Sequence, residues 1–276
     1  MPAHHDRTGN NVGVDSSTDI ELRSIDGRLL VGVSPREGGR IASLSFDGSP
    51  LIVERGEFRD PLAWGCYPMV PYCGRVRDAI LHLDGERHPL PMVAPPHAIH
   101  GTVLDRAWEV TDAHRDRLSM SIDLGERWPR RGTVEQRIEV RDHSLHLQLM
   151  ITAVDDMPWM IGWHPWFVKP KHGPDELTLM HRRDEAGIAT NELVSRPDGV
   201  VDDCFVARDG VLTMQFERST VRLASDCERW VVYDAPTHAT CVEPQSGPPN
   251  EVNDSPRTLR AGESASRWFR IEVSTP

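Results

Sequence analysis

The feature that most constrains this chain is an alternation of apolar and polar residues, broken at intervals by turn-forming pairs. Leu118, Met120, Ile122 and Leu124 occupy alternate positions. So do Leu145, Leu147, Leu149 and Ile151, and then Phe269, Ile271 and Val273. In an extended chain successive side chains point to opposite faces, so each run turns one face to a core and the other to water. Asp-Gly pairs recur at Asp26-Gly27, Asp47-Gly48, Asp84-Gly85, Asp198-Gly199 and Asp209-Gly210. Both residue types tolerate the positive φ that tight hairpins demand. No segment carries apolar residues at i, i+3, i+4 and i+7 over three turns, as an amphipathic helix would. The 21 glycines and 22 prolines exceed the usual combined share of about 12% and suit turns. The pattern predicts an all-β fold, sandwich or barrel.

A length of 276 residues allows one large all-β domain. No internal repeat, low-complexity linker or charge block divides it. We expect a single domain over residues 19–276, preceded by a mobile polar tail over residues 1–18. That tail carries His4, His5, Asp6 and Arg7 and has no apolar stretch of the kind a signal peptide needs. The longest uncharged run, Pro61 to Gly74, is interrupted by Pro61, Pro68 and Pro71, so no membrane span is expected. The formal charge of −11 repels nucleic acid and anionic lipid. The five cysteines are odd in number and contain no C-x-x-C, which excludes a disulfide framework or zinc ribbon and suits a reducing cytoplasm.

Four segments break the alternation and concentrate proline, aromatic and ionisable residues, as loops on a rigid scaffold do. Tyr67 to Val76 stiffens the approach to a lone Arg75 with prolines. A guanidinium fork suits vicinal hydroxyls, though it serves equally as a partner for a core carboxylate. His97 and His100 lie three apart, ahead of Trp108. They read either as metal ligands or as one surface and one core histidine. Trp159 to Phe167 places His164 among aromatic residues, far above the chain average of 6%. Aromatic walls match the C–H faces of a sugar ring, and a desolvated imidazole is readied for proton transfer; a Trp-rich core with a trapped histidine reads the same way. Cys241 to Asn250 sets Glu243 at a strand end beside a Pro-rich turn, as a general base or as a cap on nearby amides.

Together these segments resemble the aldose 1-epimerase (galactose mutarotase-like) family, over about Ile25 to Val273. Gly162-Trp-His164-Pro-Trp-Phe167 is similar to its Gly-x-His-Pro-Tyr-Phe motif, and Cys241-Val-Glu243-Pro-Gln-Ser-Gly-Pro-Pro249 to its Glu-Pro-x-x-Gly-x-Pro segment. His100-Gly101 with Trp108, Gly74-Arg75-Val76, Val201-Asp202-Asp-Cys-Phe205 and Leu259-Arg-Ala-Gly262-Glu263 resemble further family segments in the same order. Gly74 stands where the family often has Asn, and Trp166 where it often has Tyr; both departures change the pocket wall. The resemblance implies a large antiparallel β-sandwich without metal or other cofactor, acting on a small sugar as a monomer or homodimer. It implies His164 as acid at the ring oxygen and Glu243 as base at the anomeric hydroxyl. Arg75, His100 and Asp202 would hold the ring.

Three other readings stay open. A hexose-6-phosphate 1-epimerase would need cations at the pocket rim, from among Arg77, Arg130, Arg131 and Lys169. A sugar-binding module would keep the pocket without catalysis. A metal-dependent β-barrel enzyme would draw on His97, His100, His143 and His146. A glycosidase would require two flanking carboxylates, where these segments offer a histidine and one Glu.

Overall fold

The computed structural model describes residues 19–56, 58, 60–207 and 210–276. The tail read over residues 1–18, and Asp209 of the last Asp-Gly pair, lie outside the described residues. Three of the Asp-Gly pairs lie in hairpins, Asp26-Gly27 between Ile20–Arg23 and Leu29–Ser34, whereas Asp198-Gly199 joins Ala189–Ser195 to Asp202–Val206, which do not pair. Asp47 and Gly48 have φ of 49° and 72° between Arg40–Phe46 and Ser49–Pro50. Asp84 and Gly85 have φ of 55° and 81° between Ile80–Leu83 and Glu86–Pro89. Positive φ at both central residues matches the right-handed twist of the flanking strands.

Two large antiparallel sheets form among the described residues. In the eleven-stranded sheet the neighbours run Ile20–Arg23, Leu29–Ser34, Arg40–Phe46, Cys66–Met69, Gly162–Val168, Ala239–Gln245, Arg229–Tyr233, Asp202–Val206, Leu179–Arg183 and Ala189–Ser195, with Ser49–Pro50 added beside Arg40–Phe46. The seven-stranded sheet runs Glu109–Ala113, Arg117–Asp123, Gly132–Arg141, Ser144–Ala153, Ser264–Ser274, Thr220–Ser225 and Leu212–Gln215. The only α-helical segment among the described residues is the single turn Glu251–Asp254. The all-β expectation therefore holds, as a large antiparallel β-sandwich.

The alternation does what the sequence implies. Leu145, Leu147, Leu149 and Ile151 are buried, as are Phe269, Ile271 and Val273. From the larger sheet, Trp163 and Trp230 each reach the Phe269 ring with centroids 5.9 Å apart. Gln136, a polar residue in this layer, is satisfied on both ends: its amide donates to the Gly39 carbonyl at 2.5 Å and accepts from Trp163 Nε1 at 3.3 Å. A buried amide is tolerated when its hydrogen bonds are made. The apolar side chains of both sheets form one continuous cluster.

The strand Gly162–Val168 contributes to both faces of the larger sheet. Trp163 and Phe167 point into the sandwich, so His164 and Trp166 must point to the opposite face. Phe269→Ala should cost about 3–5 kcal/mol, since that ring is fully buried against Trp163 and Trp230. Trp268→Ala, one residue away but 42% exposed, should change stability by less than about 0.5 kcal/mol. Urea unfolding of the two variants checks the alternation; comparable losses would contradict it.

Candidate active site

Strand register places the central pair. Gly162 pairs with Gln245 and Trp166 with Cys241, so His164 lies opposite Glu243. On one side His164 pairs with Tyr67, and on the other Glu243 pairs with Val231. Tyr67, His164, Glu243 and Val231 thus form one cross-strand row on the outer face. Two residues along, Cys241 links Trp166 to Tyr233, and Tyr233 pairs with Asp202. These rows floor a cavity of about 260 Å³. That is just under the size of clefts that hold drug-like molecules, and suits a single monosaccharide ring.

A two-stranded ribbon supplies the rim. Arg75–Val76 pairs with Ala98–Ile99, Arg75 facing Ile99, which brings His100 alongside. The chain then turns sharply. His100 has φ 60° and Gly101 φ 85°. A Cβ on Gly101 would lie 2.1 Å from the Val70 carbonyl oxygen, so only glycine fits. The strained His100 backbone is held by its N–H donating to the Gly74 carbonyl at 3.1 Å. Gly74 also lines the cavity, and a Cβ there would meet the Pro249 ring at 2.7 Å. The asparagine common in the family at this position would require Pro249 to move.

The structure brings all five residues singled out as catalytic or sugar-binding to this one cavity: Arg75, His100, His164, Asp202 and Glu243. His164 Nε2 stands 3.2 Å from Glu243 Oε1, with both side chains almost wholly buried. The other carboxyl oxygen of Glu243 accepts from Gln245 Nε2 at 3.0 Å. The His164 ring stacks with Tyr67, at 4.7 Å and 22°, and with Trp166, at 5.5 Å and 20°. The His100 ring meets it edge-on at 4.8 Å. Asp202 is gripped by Arg183, whose Nη1 and Nη2 donate to its two oxygens at 3.1 and 3.0 Å, while Arg183 Nε reaches Asp203 at 3.1 Å. Arg75 Nη2 lies 3.9 Å from Asp202, beyond hydrogen-bond range.

Burial dominates the proton affinities. It takes the His164 imidazole down to about 3. It holds the Glu243 carboxyl well above the usual carboxylate range, with the nearby Asp202 charge adding to the effect. His100 is held well below its ordinary value, again by burial and then by His164 and Arg75. Desolvation thus favours the neutral form of each member of the central pair. His100 Nδ1 and Gln245 Oε1 are buried with no hydrogen-bond partner. Buried polar atoms left unpaired beside a cavity suit a polar occupant.

Several other residues weighed in the sequence stand elsewhere. His97 Nδ1 accepts from the Asp78 N–H and its Nε2 lies 3.0 Å from the Ala186 carbonyl, so it ties loops together. His143 pairs with Asp26 at 2.7 Å, and His146 lies on the Ser144–Ala153 strand of the other sheet. The four histidines offered for a metal-dependent barrel do not converge, which corrects that reading. Arg77, Arg130, Arg131 and Lys169, offered for a phosphate, are each ion-paired, to Asp184, Asp84, Asp155 and Asp234. None of the four lines the cavity. Trp108 lies away from it too, its ring against Gly39.

Tyr67, Arg183, Tyr233 and Gln245 line the cavity without having been singled out. Gln245 was legible: two residues after Glu243 on a strand, it shares that face. Arg183 carried no local signal, since only the pairing of distant strands brings it to Asp202.

Comparison with known proteins agrees with this architecture. The aldose 1-epimerase family profile matches residues 25–272, and the chain belongs to that family. Among solved structures, a candidate aldose 1-epimerase of Escherichia coli K12 has TM-score 0.83 and 19% identity, covering 94% of this chain and 99% of that one. An aldose epimerase homologue from C. elegans has TM-score 0.80 and 17% identity, covering 93% and 98%. Galactose 1-epimerase from Lactobacillus acidophilus NCFM has TM-score 0.76 and 15% identity, covering 93% and 94%. At these identities the likeness establishes the fold. No curated protein matches the chain. No helix among the described residues is long and apolar enough to cross a membrane.

The depressed His164 value has a measurable consequence. Between about 3 and the ordinary 6.5, the unfolded chain takes up a proton at this residue that the folded chain refuses. Stability from this group is therefore lost as pH falls through that window. Glu243 acts in the opposite sense above its ordinary 4.5, so Glu243→Gln is the proper background. There, His164→Gln should flatten the decline of stability between pH 6.5 and 4, followed by urea unfolding. NMR of the ligand-free wild type should find the His164 ring neutral at pH 5; a protonated ring would contradict the burial argument.

Proposed function

We propose that this protein interconverts the α and β anomers of a free hexose by acid–base opening of the ring, with His164 and Glu243 as its proton-transfer pair. The observation that carries the reading is their 3.2 Å approach inside a cavity sized for one sugar ring. Anomeric O1 and ring O5 sit on the same carbon, so two adjacent proton-transfer groups can serve both at once.

Glu243 takes the O1 proton while His164 gives one to O5. The C1–O5 bond breaks, its electron pair passes to O5, and C1=O1 forms. Rotation about C1–C2 presents the other face of the aldehyde, and closure reverses both transfers. Opening begins from the ion pair and leaves Glu243 protonated and His164 neutral. Those are the forms that burial favours, so desolvation of the pair stabilises the ring-opened intermediate. Arg183 and Arg75 nearby favour the ionised Glu243 of the starting state, and sugar hydroxyls filling the cavity solvate both charges. Gln245 fixes the Glu243 carboxyl plane. Asp202, locked by Arg183, accepts hydroxyl hydrogen bonds, and Arg75 donates to them. His100 hydrogen-bonds near O5. The Trp166 and Tyr67 rings offer apolar walls to the C–H faces.

The four cations considered for a phosphate are all committed to carboxylates away from the cavity, which favours a free sugar over a sugar phosphate. No metal takes part in this scheme. Residues 19–276 act as one unit, and five buried, unpaired cysteines suit a cytoplasmic protein.

Glu243→Gln keeps the shape and removes the base, so anomerisation should fall by on the order of 10²-fold or more while sugar binding largely survives. His164→Gln should fall comparably. Polarimetry of freshly dissolved α-glucose and α-galactose reads both, and wild-type rates in either variant would remove that residue from its role. Sugar binding with no acceleration by the wild type would instead point to a binding module. NMR exchange across a panel of sugars should favour free hexoses over their 6-phosphates; the reverse would overturn the substrate class.

A further inference from the structure

One nitrogen each of His100 and His164 and one carboxyl oxygen of Glu243 lie within 4.8 Å of one another, and all three residues are buried. We infer that these three side chains form a site for a borderline divalent transition metal, zinc above all, which excludes the sugar and switches the cavity off. That occupancy blocks turnover rests on the epimerase reading; the metal site itself rests on geometry.

The donor set is the first argument. Two imidazoles and one carboxylate, with a position left open, is a combination zinc takes in hydrolytic enzymes, and imidazole suits zinc, copper and nickel. The distances are the second. Bonds of about 2.0–2.2 Å in a tetrahedral shell put neighbouring ligand atoms about 3.4 Å apart. His164 Nε2 and Glu243 Oε1 already stand at 3.2 Å. No separation in the trio exceeds 4.8 Å, so the set closes by at most about 1.4 Å. The opening beside them is the cavity itself, where water would complete the shell.

The supporting residues are the third argument. Metal ligands bind well when their own neighbours hold them in place. Tyr67 and Trp166 both stack on the His164 ring, and Gln245 holds the second Glu243 oxygen. The turn at His100 and Gly101 fixes the third ligand, whose Nδ1 is buried without a partner. Arg75 and Arg183 oppose a cation here, and Asp202 and Asp203 offset them. A metal on these atoms takes the lone pairs that proton transfer uses, and stands where C1 of the sugar would stand.

The test is a cobalt titration of the full chain carrying His4→Ala and His5→Ala, which removes the paired histidines near its start. Cobalt(II) reports a protein site of low coordination number by its visible absorption. We expect one equivalent bound, displaced by zinc and by excess galactose or glucose. His100→Asn and Glu243→Gln should abolish the absorption, and His97→Asn should keep it. Zinc should slow mutarotation at least tenfold in polarimetry, with recovery on chelation. No cobalt absorption, or full absorption in folded His100→Asn and Glu243→Gln chains, overturns the site. Should those variants not fold, sugar displacement in the otherwise unaltered site decides the matter: cobalt that excess sugar leaves in place lies elsewhere. Rapid mutarotation that zinc does not touch sinks this inference and spares the epimerase reading. One equivalent of cobalt on a chain that accelerates no mutarotation sinks the epimerase reading and spares the site.

Discussion

The buried pairing of His164 with Glu243 is the interaction on which this structure turns. Two ionisable groups on neighbouring strands face each other at 3.2 Å, both side chains almost wholly buried. Stripping water from a carboxylate and an imidazolium costs several kcal/mol each, and their attraction repays that only in good geometry. Burial therefore drives both toward neutrality, the imidazole without its extra proton and the carboxyl with one. A structural ion pair placed for stability alone would do better as apolar residues of the same volume.

Everything around the pair keeps it in that condition. The Gly162–Val168 strand faces Trp163 and Phe167 into the sandwich and His164 and Trp166 into the cavity. The core that anchors one face thereby fixes the rings on the other. Arg183 occupies both oxygens of Asp202 and also reaches Asp203, keeping the second carboxylate of the cavity in place. The glycine at position 101 lets the chain pass close to Val70 and swing His100 toward His164. The same convergence gathers one ligand atom each from His100, His164 and Glu243 beside the cavity.

Much of this was legible before any coordinates. Period-two alternation over 118–124, 145–151 and 269–273 defines strands with one buried face, because side-chain direction in an extended chain is a local property. Asp26-Gly27, Asp47-Gly48 and Asp84-Gly85 mark hairpins because φ > 0 is a local demand, whereas Asp198-Gly199 joins strands that do not pair. His164 and Glu243 stood out through rigid, aromatic or proline-rich flanks. The Trp-rich segment was legible only in part. Its aromatic density suggested a wall, yet Trp163 serves the core and only Trp166 faces the cavity.

The sequence by itself determined the fold class, the likeness to the aldose 1-epimerases and the residue types available for proton transfer. Those follow from neighbours along the chain. Tertiary structure alone decided that residues 164 and 243 face each other, that Arg183 locks Asp202, and that His97 and the cations Arg77, Arg130, Arg131 and Lys169 are spent on other partners. Strand order and register set Tyr67 beside His164 and His164 opposite Glu243, and no local pattern encodes which strand lies beside which.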